Sequence, residues 1–218
     1  MTPEKFAGHL NFEVLPARQK ALWKAIDASA EGLEKSGFYL AGGTALALQL
    51  GHRESVDFDF FSRQNGTGPL TRKWLDKNHP ASLLREADKD TVHADLKGVK
   101  VSFIGAYKYP HVGRFVVSGH MRLANVADIA LMKLLAVTHR AAMRDYIDLA
   151  AILSSGWKLD DLLRASKKKY GRTFNTLLPM RALVSFDDLE PEIPRILDAR
   201  LKRTWRDILT RAVAKASL

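Results

Sequence analysis

Asp57 and Asp59 stand two residues apart in the run "SVDFDFFS", flanked by Val56, Phe58 and Phe60. The alternation of acid with apolar residue has the period of a β-strand, whose successive side chains point to opposite faces, so both carboxylates fall on one face and Val56, Phe58 and Phe60 fill the other. Two carboxylates at that separation repel unless a cation lies between them. Oxygen-only ligands suit Mg²⁺, which takes one or two protein carboxylates and completes its shell with water and substrate phosphates. In phosphoryl and nucleotidyl transfer such a metal activates the attacking oxygen and steadies the leaving pyrophosphate. The bland alternative is an edge strand whose polar face meets solvent.

Beginning eighteen residues upstream of Asp57, "YLAGGTALALQLG" runs from an apolar strand through Gly42 and Gly43 into a helix opened by Thr44 and closed by Gly51. Glycines let a backbone approach a phosphate, and the helix N-terminus behind them offers unpaired N–H groups to an anion. A tight turn with an ordinary threonine cap would look the same. Side by side, the two elements put an anion cradle next to a metal-binding face, so the candidate phosphate contacts are Gly42, Gly43 and Thr44 and the candidate metal ligands Asp57 and Asp59.

A second polar pattern lies in "KLLAVTHRAAMRDYID". Read as one helix at about 100° per residue, Lys133, Arg140, Arg144 and Asp148 share roughly 80° of arc, three cations and an acid on a mainly apolar helix. A triphosphate facing the carboxylate strand would neutralise such a stripe, with Lys133 on phosphate and Arg140 and Arg144 as clamps. An internal salt-bridge face, Arg144 paired with Asp148, is the alternative.

The stretch "AGGTALALQLGHRESVDFDFF" resembles the first motif of the AbiEii/AbiGii-type nucleotidyltransferases, toxins of abortive-infection and toxin–antitoxin systems within the DNA polymerase β-like superfamily. Gly-Gly-Thr, His52, Arg53, Ser55, Asp57 and Asp59 fall where that motif places them, and Lys133, Ala136, Val137, Arg140, Arg144, Asp145 and Asp148 fit a second one, so the resemblance covers roughly residues 38 to 150. It implies an α+β fold, an enzyme using a nucleoside triphosphate with Mg²⁺, Asp57, Asp59, Lys133 and Asp148 as catalytic residues, and Gly42, Gly43, Thr44, Arg53, Ser55, Arg140 and Arg144 at the nucleotide. It also implies a cognate antitoxin and, since some toxins of this family modify the acceptor end of transfer RNA, a tRNA acceptor. His52 and Arg53 are read as structural or substrate-positioning. Many superfamily members carry a third carboxylate on a later strand, where "GVKVSFIG" offers Ser102; Asp95 precedes the turn at Gly98 and would serve only in another register. A nucleotide-binding or interaction module that has lost turnover is therefore the competing reading, and transfer to a small molecule or a protein hydroxyl a third.

The elements that must position these groups follow from periodicity. Leu22, Ile26, Ala30 and Leu33 predict one helix ending near Gly37; "ASLLREADKDTVHADLKGVKVSFIGAY" predicts two or three strands, and "FVVSGHMRLAN" one more. From Val126 the period is helical with no breaker until Gly156, and "LDDLLRASKKKYG" and "IPRILDARLKRTWRDILTRAVAKA" add further helices. The expected architecture is a nucleotidyltransferase-like small mixed sheet with flanking helices over residues 1–124, followed by a helical half over 125–218. Trp205 is expected to anchor a helix in the core, and His93, His111, His120 and His139 show no metal-ligand spacing.

The 218 residues carry 34 Lys and Arg against 24 Asp and Glu and no cysteine. That composition excludes disulfides, thiolate metal sites and cysteine nucleophiles, and fits a reducing compartment. With no apolar stretch of spanning length and no secretory signal at the start, a cytoplasmic protein without membrane contact is expected. From Arg164 onward 13 basic side chains face 6 acidic ones, a surplus that suits either a phosphate backbone or a solvated helical surface.

Overall fold

The computed structural model describes residues 10–190 and 192–217, and the chain divides into two compact units. One is built from residues 15–45 and 55–125 and contains the sheet; the other gathers 10–14, 46–54 and 126–217 and is helical. The segment 46–54, which a linear division near residue 125 assigns to the sheet, clusters with the helices because His52 and Arg53 are tied to Asp148.

In the sheet unit, α1 (Ala17–Ala28) and α2 (Glu31–Lys35) precede β1 (Tyr39–Ala41). Leu22, Ile26, Ala30 and Leu33 are all buried as their spacing requires, but the helix divides at Ser29, whose backbone N–H returns to the Ile26 carbonyl. After the opening turn of α3 (Gly42–Leu50) the unit continues with β2 (Phe58–Phe61), α4 (Thr67–Asn78), β3 (Leu83–Ala87), β4 (Thr91–Leu96), β5 (Val99–Ile104), β6 (Val116–Ser118) and β7 (Met121–Leu123). The seven strands form one mixed sheet in the order β3-β4-β5-β2-β1-β7-β6. β2 runs parallel to β5 and β1 parallel to β7, the remaining pairs antiparallel. "FVVSGHMRLAN" folds as a hairpin of two strands rather than one, turning at Gly119, which has φ +59°.

The buried face of the sheet is aromatic. Phe58, Phe60 and Phe103 are fully buried, Phe60 stacks on Phe103 at 5.2 Å, and Trp74 of α4 meets Phe103 edge-on at 5.7 Å. Each such side chain stabilises by about 2–3 kcal/mol on burial, which fixes β2 with Phe58 and Phe60 inward and Asp59 and Phe61 on the opposite face. Strand geometry begins only at Phe58: Asp57 sits just before β2, and Val56, expected inside, is 50% exposed. With Asp57 outside the ladder, the alternation stops applying at Val56.

The helical unit holds the rest of α3, then α5 (Val126–Ala136), α6 (Met143–Ser154), α7 (Leu159–Tyr170), α8 (Leu177–Ala182) and α9 (Ala199–Lys215). α6 packs on α5 and α9, and α7 on α5. The single helix expected from Val126 to Gly156 is two helices. Between them the Thr138 hydroxyl bonds the Leu135 carbonyl and Ala142 turns extended, with φ −74° and ψ 114°. Lys133 and Arg144 therefore occupy different helices with Arg140 in the turn between them, and the shared 80° stripe does not exist. Trp205 of α9 is buried edge-on to Phe186 at 5.4 Å, with the Arg206 guanidinium over its ring at 4.3 Å, so it does anchor its helix in the core.

Candidate active site

Gly42 follows β1 and opens α3 with φ +66°, a left-handed backbone that favours glycine, and a Cβ there would stand 3.1 Å from Oδ2 of Asp59. The close approach follows from pairing Ala41 with Asp59 across β1 and β2, which brings the turn over that carboxylate. Gly43 continues into α3. Thr44 does not cap the helix: its hydroxyl donates to the Asp57 carbonyl and takes the Ser55 hydroxyl at 2.7 Å, so Ser55 is the donor of that pair. Both hydroxyls are buried, and they fasten the Gly-Gly-Thr turn to the segment entering β2. Asp57 and Asp59 are each half-buried. Across β5, Ser102 lies opposite Asp59 as the sequence suggested, while Asp95 pairs with Lys100 and binds the Gly98 N–H and the Arg85 guanidinium. Among the described residues no group of three or more His, Cys, Asp or Glu is placed to hold a metal.

The helical unit carries the second set of motif residues as a buried ion network. Asp148 is wholly inaccessible, accepts from Arg53 Nε at 2.6 Å and Nη2 at 3.0 Å and from His52 Nε2 at 2.7 Å, and forms an ion pair with Lys133 Nζ at 2.6 Å. Lys133 also meets Asp145 at 2.6 Å, and Asp145 takes Arg140 Nε at 2.8 Å. Burial opposes ionisation of Asp148, yet Arg53 and Lys133 outweigh it and hold the carboxyl well below the usual carboxylate range; Asp145 is lowered in the same way by Lys133 and Arg140. Burial holds His52 below its ordinary value despite Asp148, so its ring is neutral with the proton on Nε2, and Nδ1 has no partner among the described residues. Two carboxylates thus face three permanent cations.

Lys133, Arg53 and Asp148 consequently spend their polar atoms on one another. Arg140 remains 49% exposed beyond its Asp145 contact, and Arg144 is half-buried with no ion pair among the described residues; the pairing of Arg144 with Asp148 does not form. Asp145, absent from the sequence-based set of site residues, is the acid that joins Lys133 to Arg140, and the signal for it was the Arg-Asp pair at 144–145. Further along, the Lys169 side chain is inaccessible against Asp128 at 2.6 Å, leaving Lys167 and Lys168 as the exposed members of the Lys167–Lys169 triplet.

The sequence matches the family model described as nucleotidyl transferase AbiEii toxin of type IV toxin–antitoxin systems over residues 25–218. An uncharacterised Aquifex aeolicus protein is 36% identical over 162 residues, 72% of this chain and 77% of that one. Among solved structures, the nucleotidyltransferase toxin MenT4 of Mycobacterium tuberculosis superposes with a TM-score of 0.58 at 15% identity, covering 91% of this chain and 84% of that one. Helicobacter pylori JHP933 gives 0.52 at 18% identity over 92% of each. At such identities the structural matches establish the fold, a nucleotidyltransferase fold, whereas the family model spans nearly the whole sequence. The chain belongs to the nucleotidyl transferase AbiEii toxin family and is a nucleotidyltransferase.

Proposed function

We propose that the protein transfers a nucleotidyl group from a nucleoside triphosphate to an RNA hydroxyl, with tRNA as the acceptor, and that Asp57 and Asp59 hold the divalent metal, Mg²⁺, that this reaction uses. The observation that carries the reading is the coupling of the Gly-Gly-Thr turn to the carboxylate pair: Gly42 admits Asp59, and Thr44 is bonded to the Asp57 backbone. A donor set of two half-exposed carboxylates without nitrogen or sulfur fits Mg²⁺, which leaves most of its shell to water and phosphate. Bound there, the metal would neutralise phosphate charge and lower the pKa of the attacking hydroxyl. The chain's own contribution is positional. The N–H groups at Gly42 and Gly43 receive phosphate oxygens at the start of α3, and Thr44 and Ser55 keep that turn in register with the acids.

On the helical unit, Arg140 and Arg144 are the cations proposed for phosphate, since one is half-exposed and the other has no ion pair among the described residues. Lys133, Arg53, His52 and Asp148 position these arginines by fixing the turn between α5 and α6. The basic surplus after Arg164, Lys167 and Lys168 included, supplies RNA-backbone contacts. The family's antitoxin would act on this activity in the cytoplasm; no helix of the described residues is long and apolar enough to cross a membrane.

The test is incubation of the purified chain with each radiolabelled triphosphate, Mg²⁺ and total tRNA, beside Asp57→Ala. Label in RNA with the intact chain alone is the expected result, and equal labelling by Asp57→Ala removes this site. Ser102, standing where a third carboxylate would lie, favours one rival, a module that binds nucleotide without turnover. That rival predicts a rise in Tm with Mg²⁺ and triphosphate but no labelled product.

A further inference from the structure

β2, β5 and β4 are neighbours, and their register places Asp59 opposite Ser102 and Ser102 opposite His93. Residues opposite each other on adjacent strands share a face. The alternate positions Phe58, Val101, Phe103, Val92 and Ala94 are buried on the other face, whereas Asp59, Ser102 and His93 are half-exposed. At a strand spacing of about 4.8 Å, His93 stands roughly 10 Å from Asp59 along the backbone. In that register Ser102 is the residue between them. Serine is short, so the neighbours that a group bound over position 102 would meet on this face are a carboxylate and an imidazole.

We propose that His93 is the general base of the transfer reaction, supplying from the next strand what the missing third carboxylate would have supplied at position 102; the inference rests on the nucleotidyl-transfer reading above. The acceptor hydroxyl lies over Ser102 and gives its proton to a ring nitrogen of His93 as its oxygen bonds to the α-phosphorus. The bond from that phosphorus to the bridging oxygen breaks, pyrophosphate departs with the electron pair, and the imidazolium releases its proton to solvent. An imidazole is suited to the task because it changes charge near neutral pH. The groups facing His93 are mostly acidic. On β3, Glu86 lies opposite it and Arg85 is paired with Asp95; Asp88 holds the turn into β4, Asp95 lies two residues along β4 itself, and β5 presents Lys100 and Ser102. Glu86 lies on the side of His93 away from Asp59.

The experiment compares the intact chain, Asp57→Ala, His93→Gln and the double variant His93→Gln with Ser102→Asp. Single-turnover transfer is followed from about pH 5 to 9, where an imidazole titrates, and the rise in Tm with Mg²⁺ and triphosphate is measured for each. His93→Gln is expected to slow transfer by about 100-fold or more, to flatten the decline toward acid pH, and to keep the rise in Tm. Ser102→Asp in that background is expected to recover at least about tenfold by restoring a carboxylate base. If the intact chain transfers label and His93→Gln matches its rate and pH profile, His93 is not the base while the transferase reading stands. If the intact chain labels nothing at any pH, that reading falls and this one with it.

Discussion

Asp148→Asn separates the two meanings a motif carboxylate can have. In the helical unit Asp148 is inaccessible, accepts three hydrogen bonds from His52 and Arg53, and pairs with Lys133. Asparagine keeps the shape but removes the charge and turns an N–H₂ group toward cations. Removing one partner of a buried ion pair costs about 3–5 kcal/mol because the other charge is stranded; here Arg53 loses the carboxylate it is bonded to while Lys133 keeps Asp145, so we take about 4 kcal/mol. For a chain of this size each kcal/mol moves Tm by about 2–4 °C, giving a fall of about 8–16 °C at pH 7. The pH arm has a definite sign. Burial raises the Asp148 pKa but Arg53 and Lys133 lower it further, so its folded-state value lies below the unfolded one. Its contribution is therefore complete above the unfolded value of about 3.9 and disappears as pH falls through the folded value. Thermal melts of both proteins from pH 7 down to about pH 3 should show the Tm gap narrowing below pH 4. A gap under about 3 °C at pH 7, or one that persists unchanged into acid, would refute the claim that an ionised Asp148 holds the network.

Two further outcomes follow from the geometry. Gly42→Ala imposes a left-handed backbone on an L-residue and sets a methyl 3.1 Å from Asp59 Oδ2; it should cost about 1–2 kcal/mol in a thermal melt and weaken the Mg²⁺-dependent rise in Tm, and a variant that keeps both values would detach the turn from the carboxylates. Within the lysine triplet, charge reversal at Lys167 and Lys168 should leave folding intact, weaken RNA binding and lower its salt slope by roughly 1 for each phosphate no longer neutralised, whereas Lys169→Glu should unfold the helical unit by facing Asp128 with a second buried acid, about 3–5 kcal/mol. A Lys169→Glu protein melting like the wild type would contradict the buried pair.

How much of this the sequence disclosed depended on whether the cause was local. Period-two alternation placed Phe58 and Phe60 inward and Asp59 outward, and the pairing of β2 with β5 put Ser102 opposite Asp59. The break between α5 and α6 was not legible, since residues 137–142 hold neither Gly nor Pro and the apolar period continues through them. Its cause is tertiary: Asp145 draws Lys133 from the preceding helix and Arg140 from the turn. His52 and Arg53 likewise sit a few residues before Asp57, but their partner Asp148 lies 96 and 95 residues away, a distance that no pattern along the chain encodes.

The same limit explains why one motif signature concealed two physical situations. Asp57, Asp59, Asp145 and Asp148 all read as acids at family positions, yet the first two are half-exposed and the last two fully buried. A carboxylate that is to receive a metal and phosphate must exchange its water for them, which requires a path to solvent. One whose oxygens already accept from arginine, lysine and histidine would have to surrender charged hydrogen bonds, and stranding those cations costs more than an incoming ligand would return. Exposure therefore supports assigning chemistry to Asp57 and Asp59 and architecture to Asp145 and Asp148, an order that Asp57→Ala and Asp148→Asn would display directly: loss of transfer with an intact melt for the first, and loss of the melt itself for the second.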